Sequence, residues 1–304
     1  MSRSKAYILT KYNIRKAKKF AKKHPVAAAL FVLVIAAILV AGALQDSGKP
    51  PAEPKDGLYV HYIDVGQGDC ELIECGGEYM LIDAGYSEHG GDVVDYLLDH
   101  GIDRVDYLVC SHGDADHCGG FAEVLRYVDA ETVFVSPYGS DGAAYGIFLD
   151  RLDREKLEPT VPEMGQSYSL GGASFSFLAP AENFGDSNEN SLVLRLEYGK
   201  TAFLFTCDVQ QLAETALLND GATLKCDVLK VAHHGSYTST SYRFLYESMP
   251  KLAVISCGRN NEYGHPHEEV LSRLKDAGVT VYRTDLEGTV VIVSDGENVG
   301  RSAP

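Results

Sequence analysis

The sequence predicts an α/β protein in which strand-rich stretches alternate with helices. Short apolar runs bounded by Gly, Pro, Asn or Asp predict the strands, and apolar residues repeating at i, i+3, i+4 and i+7 predict the helices. A third observation concerns position, because the densest His and Asp groups come directly after predicted strands. The alternation by itself establishes the α/β class and leaves the sheet arrangement open.

Composition indicates one large folded body with an acidic balance. The chain has 304 residues, 45% hydrophobic content and a formal net charge of −16, so we expect a single domain over residues 57–304. Residues 1–25 hold nine Lys or Arg and no acid, which leaves 18 basic and 43 acidic residues for the rest of the chain. Nucleic-acid binders usually present a basic face. The acidic body therefore counts against tight binding of long duplex DNA.

The N-terminal region predicts a membrane anchor. Residues 26–44 are 19 uncharged residues, long enough to cross a bilayer core of about 30 Å as one transmembrane helix. The basic tail at 1–25 places the N-terminus in the cytoplasm and the body outside the cell membrane. The alternative is a signal peptide cleaved near Ala41-Gly42-Ala43, which would make the body a secreted protein. Residues 45–56 contain three prolines and predict a stiff linker.

The body opens as an antiparallel meander and then alternates. Glycine turns at Gly76-Gly77 and Gly199-Lys200 join successive apolar runs into hairpins, and Val93, Val94 and Leu97 mark the first helix. Strands are predicted at 58–64, 69–74, 79–83, 105–110, 132–136, 167–178, 191–198, 201–206, 228–232, 252–256, 279–283 and 289–293. Helices are predicted to end near 101, to start at 118, to span 143–156, and to start at 209 and 267. We interpret the seven cysteines as buried and structural, with a Cys70–Cys75 bridge as the alternative.

The densest group of chemical side chains lies at residues 111–120. His112, Asp114, Asp116 and His117 are four potential metal ligands within six residues, on a loop between a predicted strand and a predicted helix. Imidazoles and carboxylates packed this closely are costly to hold together unless a cation uses their lone pairs. The alternative is a polar loop whose side chains cap the following helix. Four ligand types in one loop favour metal binding.

Further candidates follow later strands. Asp208 comes at the exit of the 191–206 hairpin, and His233 and His234 follow the strand at 228–232. His265 lies between Gly264 and Pro266 on a loop, where it fits a proton donor, a phosphate contact or a structural histidine. Because the ends of α/β strands usually build sites, we expect these residues to meet the 111–120 loop.

Five separated motifs, with a sixth further on, resemble the metallo-β-lactamase superfamily, and most closely the ComEC-type hydrolase domain of DNA-uptake proteins. They are Ile-Asp-Val-Gly-Gln-Gly-Asp at 63–69, Leu-Ile-Asp-Ala-Gly at 81–85, the 111–120 loop in place of HxHxDH, Asn-Ser-Leu-Val at 190–193 leading to Asp208, and His-His-Gly-Ser at 233–236, followed by Tyr-Gly-His-Pro at 263–266. The resemblance implies an αββα sandwich.

The resemblance also implies two metal sites. It assigns His112 and Asp114 to the first site, Asp116 and His117 to the second, and Asp208 as the bridge between them. His233 or His234 would complete the second site, and we favour His233 because it comes first after the strand. Asp114 replaces the second His of the motif, and no His lies between His117 and His233. An oxygen-richer first site should favour Mn²⁺ over Zn²⁺ or fill only weakly.

Other residues of the motifs have supporting interpretations. Asp83 fits a carboxylate that orients a ligand histidine, or a turn former. Asp64 and Asp69 frame a glycine turn whose N–H groups could also face substrate. Asn190 is placed near the position of the missing histidine by the resemblance. Ser236 fits a phosphate contact, since it has no dedicated base for a role as nucleophile.

The resulting hypothesis is an extracytoplasmic, membrane-anchored hydrolase that uses two divalent ions, Mn²⁺ or Zn²⁺, to cleave phosphodiesters, with single-stranded DNA as a substrate. Asp116, Asp208 and His265 are the catalytic candidates. Two alternatives stay open: hydrolysis of a lactone, a β-lactam or a cell-envelope phosphoester, and a non-catalytic metal-binding module.

Overall fold

The computed structural model describes residues 56–302. The predicted tail at 1–25, the anchor at 26–44 and all but the last residue of the linker lie outside this range. Within it, no helix combines the length and the apolar character needed to cross a membrane.

Two mixed sheets form the centre of the domain. The first has eight strands in the order β15-β14-β1-β2-β3-β4-β5-β6, and the second has seven in the order β13-β12-β11-β10-β9-β8-β7. The first sheet contains β1 (Leu58–Tyr62), β2 (Glu71–Cys75), β3 (Glu78–Ile82), β4 (Arg104–Cys110), β5 (Asp129–Val135), β6 (Pro159–Thr160), β14 (Val290–Ser294) and β15 (Val299–Arg301). The second contains β7 (Ser167–Leu170), β8 (Ala173–Ala179), β9 (Val193–Tyr198), β10 (Thr201–Phe205), β11 (Val228–Lys230), β12 (Leu252–Ile255) and β13 (Thr280–Arg283).

Helices cover the outer face of each sheet. They are α1 (Gly90–Asp99), α2 (Ala115–Cys118), α3 (Phe121–Val124), α4 (Ala143–Glu155), α5 (Gln211–Asn219), α6 (Tyr242–Ser248), α7 (Glu268–Asp276) and α8 (Thr284–Glu287). One apolar cluster joins the inner faces of the two sheets through residues such as Tyr62, Phe134 and Phe203. Two further clusters pack helices against the outer faces, one around Phe121 and Phe148 and one around Leu229 and Phe244. These layers are the predicted αββα sandwich.

The sheets change from antiparallel to parallel where the candidate residues lie. Strands β3 to β6 pair in parallel in the first sheet, and β10 to β13 pair in parallel in the second. The carboxyl ends of parallel neighbours meet at one edge of a sheet, so the loops after β3, β4, β10, β11 and β12 collect there. This edge is where the site is built.

Several predicted elements differ in extent from the observed ones. The strand predicted at 228–232 ends at Lys230, because residues Ala232–Gly235 form a 3-10 turn. The helix predicted from 118 is two short helices, α2 and α3, separated by Gly119 and Gly120. The short strands β6 and β15 and the helices α6 and α8 were not predicted. All seven cysteines are buried and unpaired, so the Cys70–Cys75 bridge is absent.

Candidate metal centre

The loop after β4 is held against the end of β3 by glycine. A Cβ on Gly120 would lie 2.1 Å from the carbonyl oxygen of Ala84, and one on Gly119 would lie 2.4 Å from that of Ala115. The backbone N–H of Ala84 in turn donates to the His117 carbonyl at 2.8 Å. These contacts fix His117 next to Asp83, the residue that directly follows β3.

Two imidazoles on this loop have their Nδ1 atoms engaged. His117 Nδ1 lies 2.9 Å from Asp83 Oδ2, and both side chains are fully buried. His112 Nδ1 lies 2.9 Å from Ser111 Oγ and 3.2 Å from Ser191 Oγ. An Nδ1–H that donates to an oxygen leaves the Nε2 lone pair free, which is how metal-binding histidines are usually oriented.

Asp83 connects these groups. Its Oδ1 accepts from the Ser111 backbone N–H at 2.9 Å and its Oδ2 accepts from Ser111 Oγ at 2.6 Å, besides facing His117. Its φ of 53° is left-handed, a region that non-glycine residues enter rarely and mostly at functional sites. Asp83 therefore has the position expected of a carboxylate that orients a ligand histidine.

The third inward-facing imidazole is His234. Its Nδ1 lies 3.0 Å from the Ser256 carbonyl oxygen and 3.1 Å from Asp69 Oδ1, while its Nε2 lies 3.3 Å from Asp116 Oδ2 and 3.5 Å from Asp208 Oδ2. His234 thus repeats the pattern of a supported Nδ1 and a free Nε2.

The preference for His233 is not supported by this geometry. His233 Nε2 lies 3.8 Å from Asp208, and its side chain is 21% exposed against 1% for His234. Both residues have left-handed backbones, with φ of 49° and 53°. This tight turn directs the second histidine back beneath the sheet edge, and order along the chain did not reveal that reversal.

The free nitrogens converge on Asp208. His117 Nε2 lies 3.2 Å from Asp208 Oδ2. Among the described residues, four groups of three have ligand atoms within 4.8 Å of one another: His112, His117 and Asp208; Asp116, His117 and His234; Asp69, Asp208 and His234; and Asp69, Asp83 and His117. The Nε2 atoms of His112, His117 and His234 and Oδ1 of Asp208 are buried without any hydrogen-bond partner in the protein. Buried polar atoms without partners are rare, and these four lie together in one cluster.

Sequence reasoning missed Lys230 and did not foresee the role of Asp69. Lys230 Nζ lies 2.5 Å from Asp69 Oδ2, and both side chains are only 1% exposed. The pair joins the end of β11 to the segment before β2, so it bridges the two sheets beneath His234. Burial opposes the charged form of Lys230, but Asp69 and Glu71 outweigh it and raise its pKa. The feature of the sequence that could have revealed this pair is a lysine within an otherwise apolar strand.

The remaining candidates lie around this cluster. Asp114 is at the start of α2 but makes no capping hydrogen bond, and its Oδ2 lies 3.8 Å from His112 Nε2 with the side chain 41% exposed. Asp64 is exposed, and its Oδ1 accepts from the Gly66 N–H at 3.1 Å. This contact fits the interpretation of Asp64 as part of a glycine turn. Ser236 bonds Thr238 within its own turn at 2.9 Å.

Asn190 is engaged elsewhere. Its Nδ2 donates to Asn183 Oδ1 at 2.9 Å, and its Oδ1 accepts from the Phe184 N–H at 2.9 Å. Its side chain therefore supports the 183–190 loop, and the neighbouring Ser191 is the residue that contacts His112.

His265 lies at the mouth of the cluster. Its ring centre is 5.5 Å from that of His233 and 6.1 Å from that of His234. Burial, followed by the charges of His234, His233 and His267, lowers the pKa of His265 to about 4. It is therefore neutral at pH 7.

The charged groups of the cluster shift one another's pKa. Burial opposes ionisation of His117, but Asp208, Asp83 and Asp116 raise its pKa well above the ordinary value. Burial likewise disfavours the charged form of Asp208, yet His117 and His234 bring its pKa well below the usual range. The same two histidines outweigh burial at Asp116 and lower its pKa to about 2. Carboxylates that stay ionised beside imidazoles from which a cation can displace the Nε2 proton form a donor set suited to a divalent cation.

Two relatives each match about three quarters or more of the chain. The chain is 34% identical over 258 residues to competence protein ComA of Neisseria gonorrhoeae, covering 84% of this chain and 35% of that protein. It is 31% identical over 250 residues to ComE operon protein 3 of Bacillus subtilis, covering 76% of this chain and 32% of the relative. The chain thus spans about a third of the length of these relatives.

Solved structures agree on the fold. The metallo-beta-lactamase fold protein YhfI from Bacillus subtilis superposes with a TM-score of 0.54 at 15% identity, covering 79% of this chain and 100% of that one. At this identity the likeness speaks for the fold alone. The family model of the metallo-beta-lactamase superfamily matches residues 63–259, which include the glycine turn, the His and Asp loop, Asp208 and His234. By its sandwich, its motifs and this match, the chain belongs to the metallo-β-lactamase superfamily.

Proposed function

We propose that the folded body is a metal-dependent phosphodiesterase that works with two divalent ions. The observation that carries this proposal is the convergence of three buried, unpartnered Nε2 atoms on Asp208. His112 and Asp114 would hold one ion, Asp116, His117 and His234 would hold the other, and Asp208 lies between them. Each histidine has its Nδ1 already supported, so the site is preorganised for cations.

The chain's own residues can supply the rest of the chemistry. When bound, divalent ions offset the charge of the phosphate oxygens and make water a better nucleophile. Asp208 and Asp116 are ionised and can accept hydrogen bonds from that water, which orients it toward phosphorus. A neutral His265 does not suit the role of an acid at pH 7, so we assign it a hydrogen bond from its N–H to a phosphate oxygen.

The metal preference follows from the first site. Asp114 takes the place of an imidazole beside His112, and carboxylate oxygens favour harder ions. We propose Mn²⁺ as the working ion, with Zn²⁺ as the alternative, and weaker filling on the Asp114 side.

The substrate class rests on the relatives. One is named a competence protein and the other a ComE operon protein, which supports a DNA phosphodiester as substrate and a role in DNA uptake. The acidic body favours a single strand over a long duplex, because a duplex needs an extended basic surface. We further propose that residues 26–44 anchor the chain in the cell membrane with the body outside.

The test is hydrolysis of bis-p-nitrophenyl phosphate by the full chain, purified in detergent and stripped of metal, before and after Mn²⁺ or Zn²⁺ is returned. We expect activity to return with metal in the native chain and to be lost in Asp208→Ala. Asp220→Ala, on the exposed surface beyond α5, is the matched control and should behave as the native chain.

The competing functions predict different outcomes. A hydrolase of another bond would leave the phosphodiester intact and turn over a lactone, a β-lactam or a phosphomonoester with the same Asp208 dependence. A non-catalytic module would bind metal, lose it in Asp208→Ala, and hydrolyse none of these compounds. Either result overturns the phosphodiesterase proposal.

A further inference from the structure

We propose that a row of aromatic rings beside the candidate metal centre stacks the bases of a single-stranded substrate. The aromatic row consists of Tyr86, Tyr263, His265, His267 and Tyr237. The inference rests on the proposed function, because it assigns the place where the substrate lies while one of its phosphates occupies the metal centre.

The row begins at the metal centre and has one arm through Tyr263. The Tyr263 ring is stacked on that of His265, with centres 5.7 Å apart and an angle of 20° between the planes. Tyr263 is 51% exposed, so its other face is open to solvent. The Tyr86 hydroxyl lies near that of Tyr263, and the stacked His265 limits rotation of the Tyr263 ring. An exposed ring that is held in place can receive a base at small cost in entropy.

A second arm runs through His267. The rings of His265 and His267 have centres 4.9 Å apart, and those of His267 and Tyr237 are 5.0 Å apart. Tyr237 is 55% exposed, and its backbone N–H donates to His267 Nδ1 at 3.1 Å. Exposed tyrosines therefore lie on both sides of the histidine pair: Tyr263 beside His265 and Tyr237 beside His267.

The loop that carries His265 is fixed from within. Asn261 donates through Nδ2 to the carbonyl oxygens of Gly258 at 2.9 Å and His265 at 2.6 Å, and its Oδ1 accepts from the His265 N–H at 2.9 Å. The loop is thus built to hold its rings at a set place, which an ordinary surface loop does not require.

The charge of the protein explains why rings would be used. Most single-strand binders combine a basic groove with aromatic platforms, and this body has 43 acidic residues against 18 basic ones beyond residue 25. Stacking of a base on an aromatic ring stabilises a bound strand and does not depend on attraction to phosphate. Binding of a strand to this surface should consequently weaken little with salt.

The experiment compares two single strands of equal length with Mn²⁺ present: an oligothymidylate, and the same backbone with abasic residues. We expect the native full chain to cleave the oligothymidylate with the higher kcat/KM. Tyr263→Ala should reduce that preference about tenfold, within the range for loss of one stacked base. Tyr263→Phe should keep the preference, because it keeps the ring. Tyr246→Ala removes a tyrosine that is 76% exposed on α6 and is the matched control.

Each contrary result has its own meaning. A preference unchanged in Tyr263→Ala, or an equal loss on both strands, overturns the stacking site. Cleavage of bis-p-nitrophenyl phosphate by a chain that cleaves neither strand overturns the stacking site and leaves the proposed function intact. No metal-dependent cleavage of any of the three substrates overturns the proposed function itself.

Discussion

The candidate metal centre has an inner flank, with His117 and His234, and an outer flank, with His112 and Asp114. The two flanks are built differently. On the inner flank, His117 and His234 are buried and their Nδ1 atoms face the carboxylates of Asp83 and Asp69. Asp69 is itself paired with the buried Lys230. Carboxylates behind a histidine raise its basicity and fix its ring, which strengthens metal binding.

The outer flank has weaker supports. His112 is backed only by the hydroxyls of Ser111 and Ser191, and its candidate partner Asp114 is 41% exposed. Burial and the charge of His117 lower the pKa of His112, whereas the pKa of His117 and of His234 is raised by the carboxylates around them. The difference teaches that ligand identity alone does not rank two sites, because the residues behind the ligands differ. We expect the inner flank to hold its ion more tightly.

The largest effect is expected at the base of the inner flank. Lys230→Met leaves Asp69 buried without its cation, and removing one partner of a buried pair costs about 3–5 kcal/mol. The measurement is urea unfolding of the metal-free chain. Lys200→Met is the matched control, since its partner Glu297 lies 2.8 Å away but the two side chains are 75% and 60% exposed. That change should cost less than about 1 kcal/mol. Equal losses in both variants would remove the distinction.

The second prediction compares the ligands directly. His234→Ala should weaken binding of the tighter ion by more than about 100-fold, because even the residues behind a ligand contribute 10–100-fold. His112→Ala should remove the weaker ion and leave the tighter one in place. Metal content after dialysis against graded chelator measures both. Loss of the tighter ion in His112→Ala would reverse the ranking of the flanks.

The third prediction concerns the supports. Asp69→Asn should lower the affinity of the inner flank for Mn²⁺ about tenfold or more, since a neutral amide replaces the carboxylate behind His234. Ser191→Ala should change the outer flank less, because Ser111 remains beside His112. Calorimetric titration of each metal-free variant gives the two values. A larger loss of Mn²⁺ affinity in Ser191→Ala than in Asp69→Asn would show that a hydroxyl behind a histidine contributes more to binding than a carboxylate does.

Much of the candidate site was predictable because several of its residues lie close in the chain. His112, Asp116 and His117 belong to one loop, and the strand before it was predicted as 105–110 and observed as Arg104–Cys110. Asp83 ends the strand predicted at 79–83, and that strand pairs with the one before the loop. Local pattern therefore indicated both the class of site and its edge of the sheet.

The choice of histidine and the lysine pair were not predictable in this way. His234 is directed into the cluster by the left-handed turn at 233–234, and Lys230 meets Asp69 across 161 positions of sequence. Both depend on how the two sheets face each other, which periodicity does not encode. The breaks in short elements also followed from tertiary contact, as at Gly119 and Gly120, where the chain packs on the end of β3.

The smallest expected effect concerns Glu214, a buried carboxylate. Asp69 is paired with Lys230, whereas Glu214 has no cation at hydrogen-bond distance among the described residues. Glu214 on α5 accepts from the backbone N–H groups of Thr240 and Ser241. Burial raises its pKa to about 7 from an ordinary 4.5, so the folded chain holds a proton that the unfolded chain has released. This contribution to stability is complete below pH 4.5 and is lost as pH rises through 7. Between pH 6 and 8 the native chain should lose about 1 kcal/mol relative to Glu214→Gln, which cannot titrate.

Urea unfolding of both metal-free chains at the two pH values isolates this change, because the groups of the metal centre titrate equally in each. Asp69 should behave in the opposite way, since Lys230 and His234 outweigh burial and lower its pKa. A stability difference between the native chain and Glu214→Gln that stays constant with pH would mean that the two N–H donors already offset burial at Glu214. Two backbone N–H donors would then suffice to keep a buried carboxylate ionised, and a nearby cation would no longer distinguish Asp69 from Glu214.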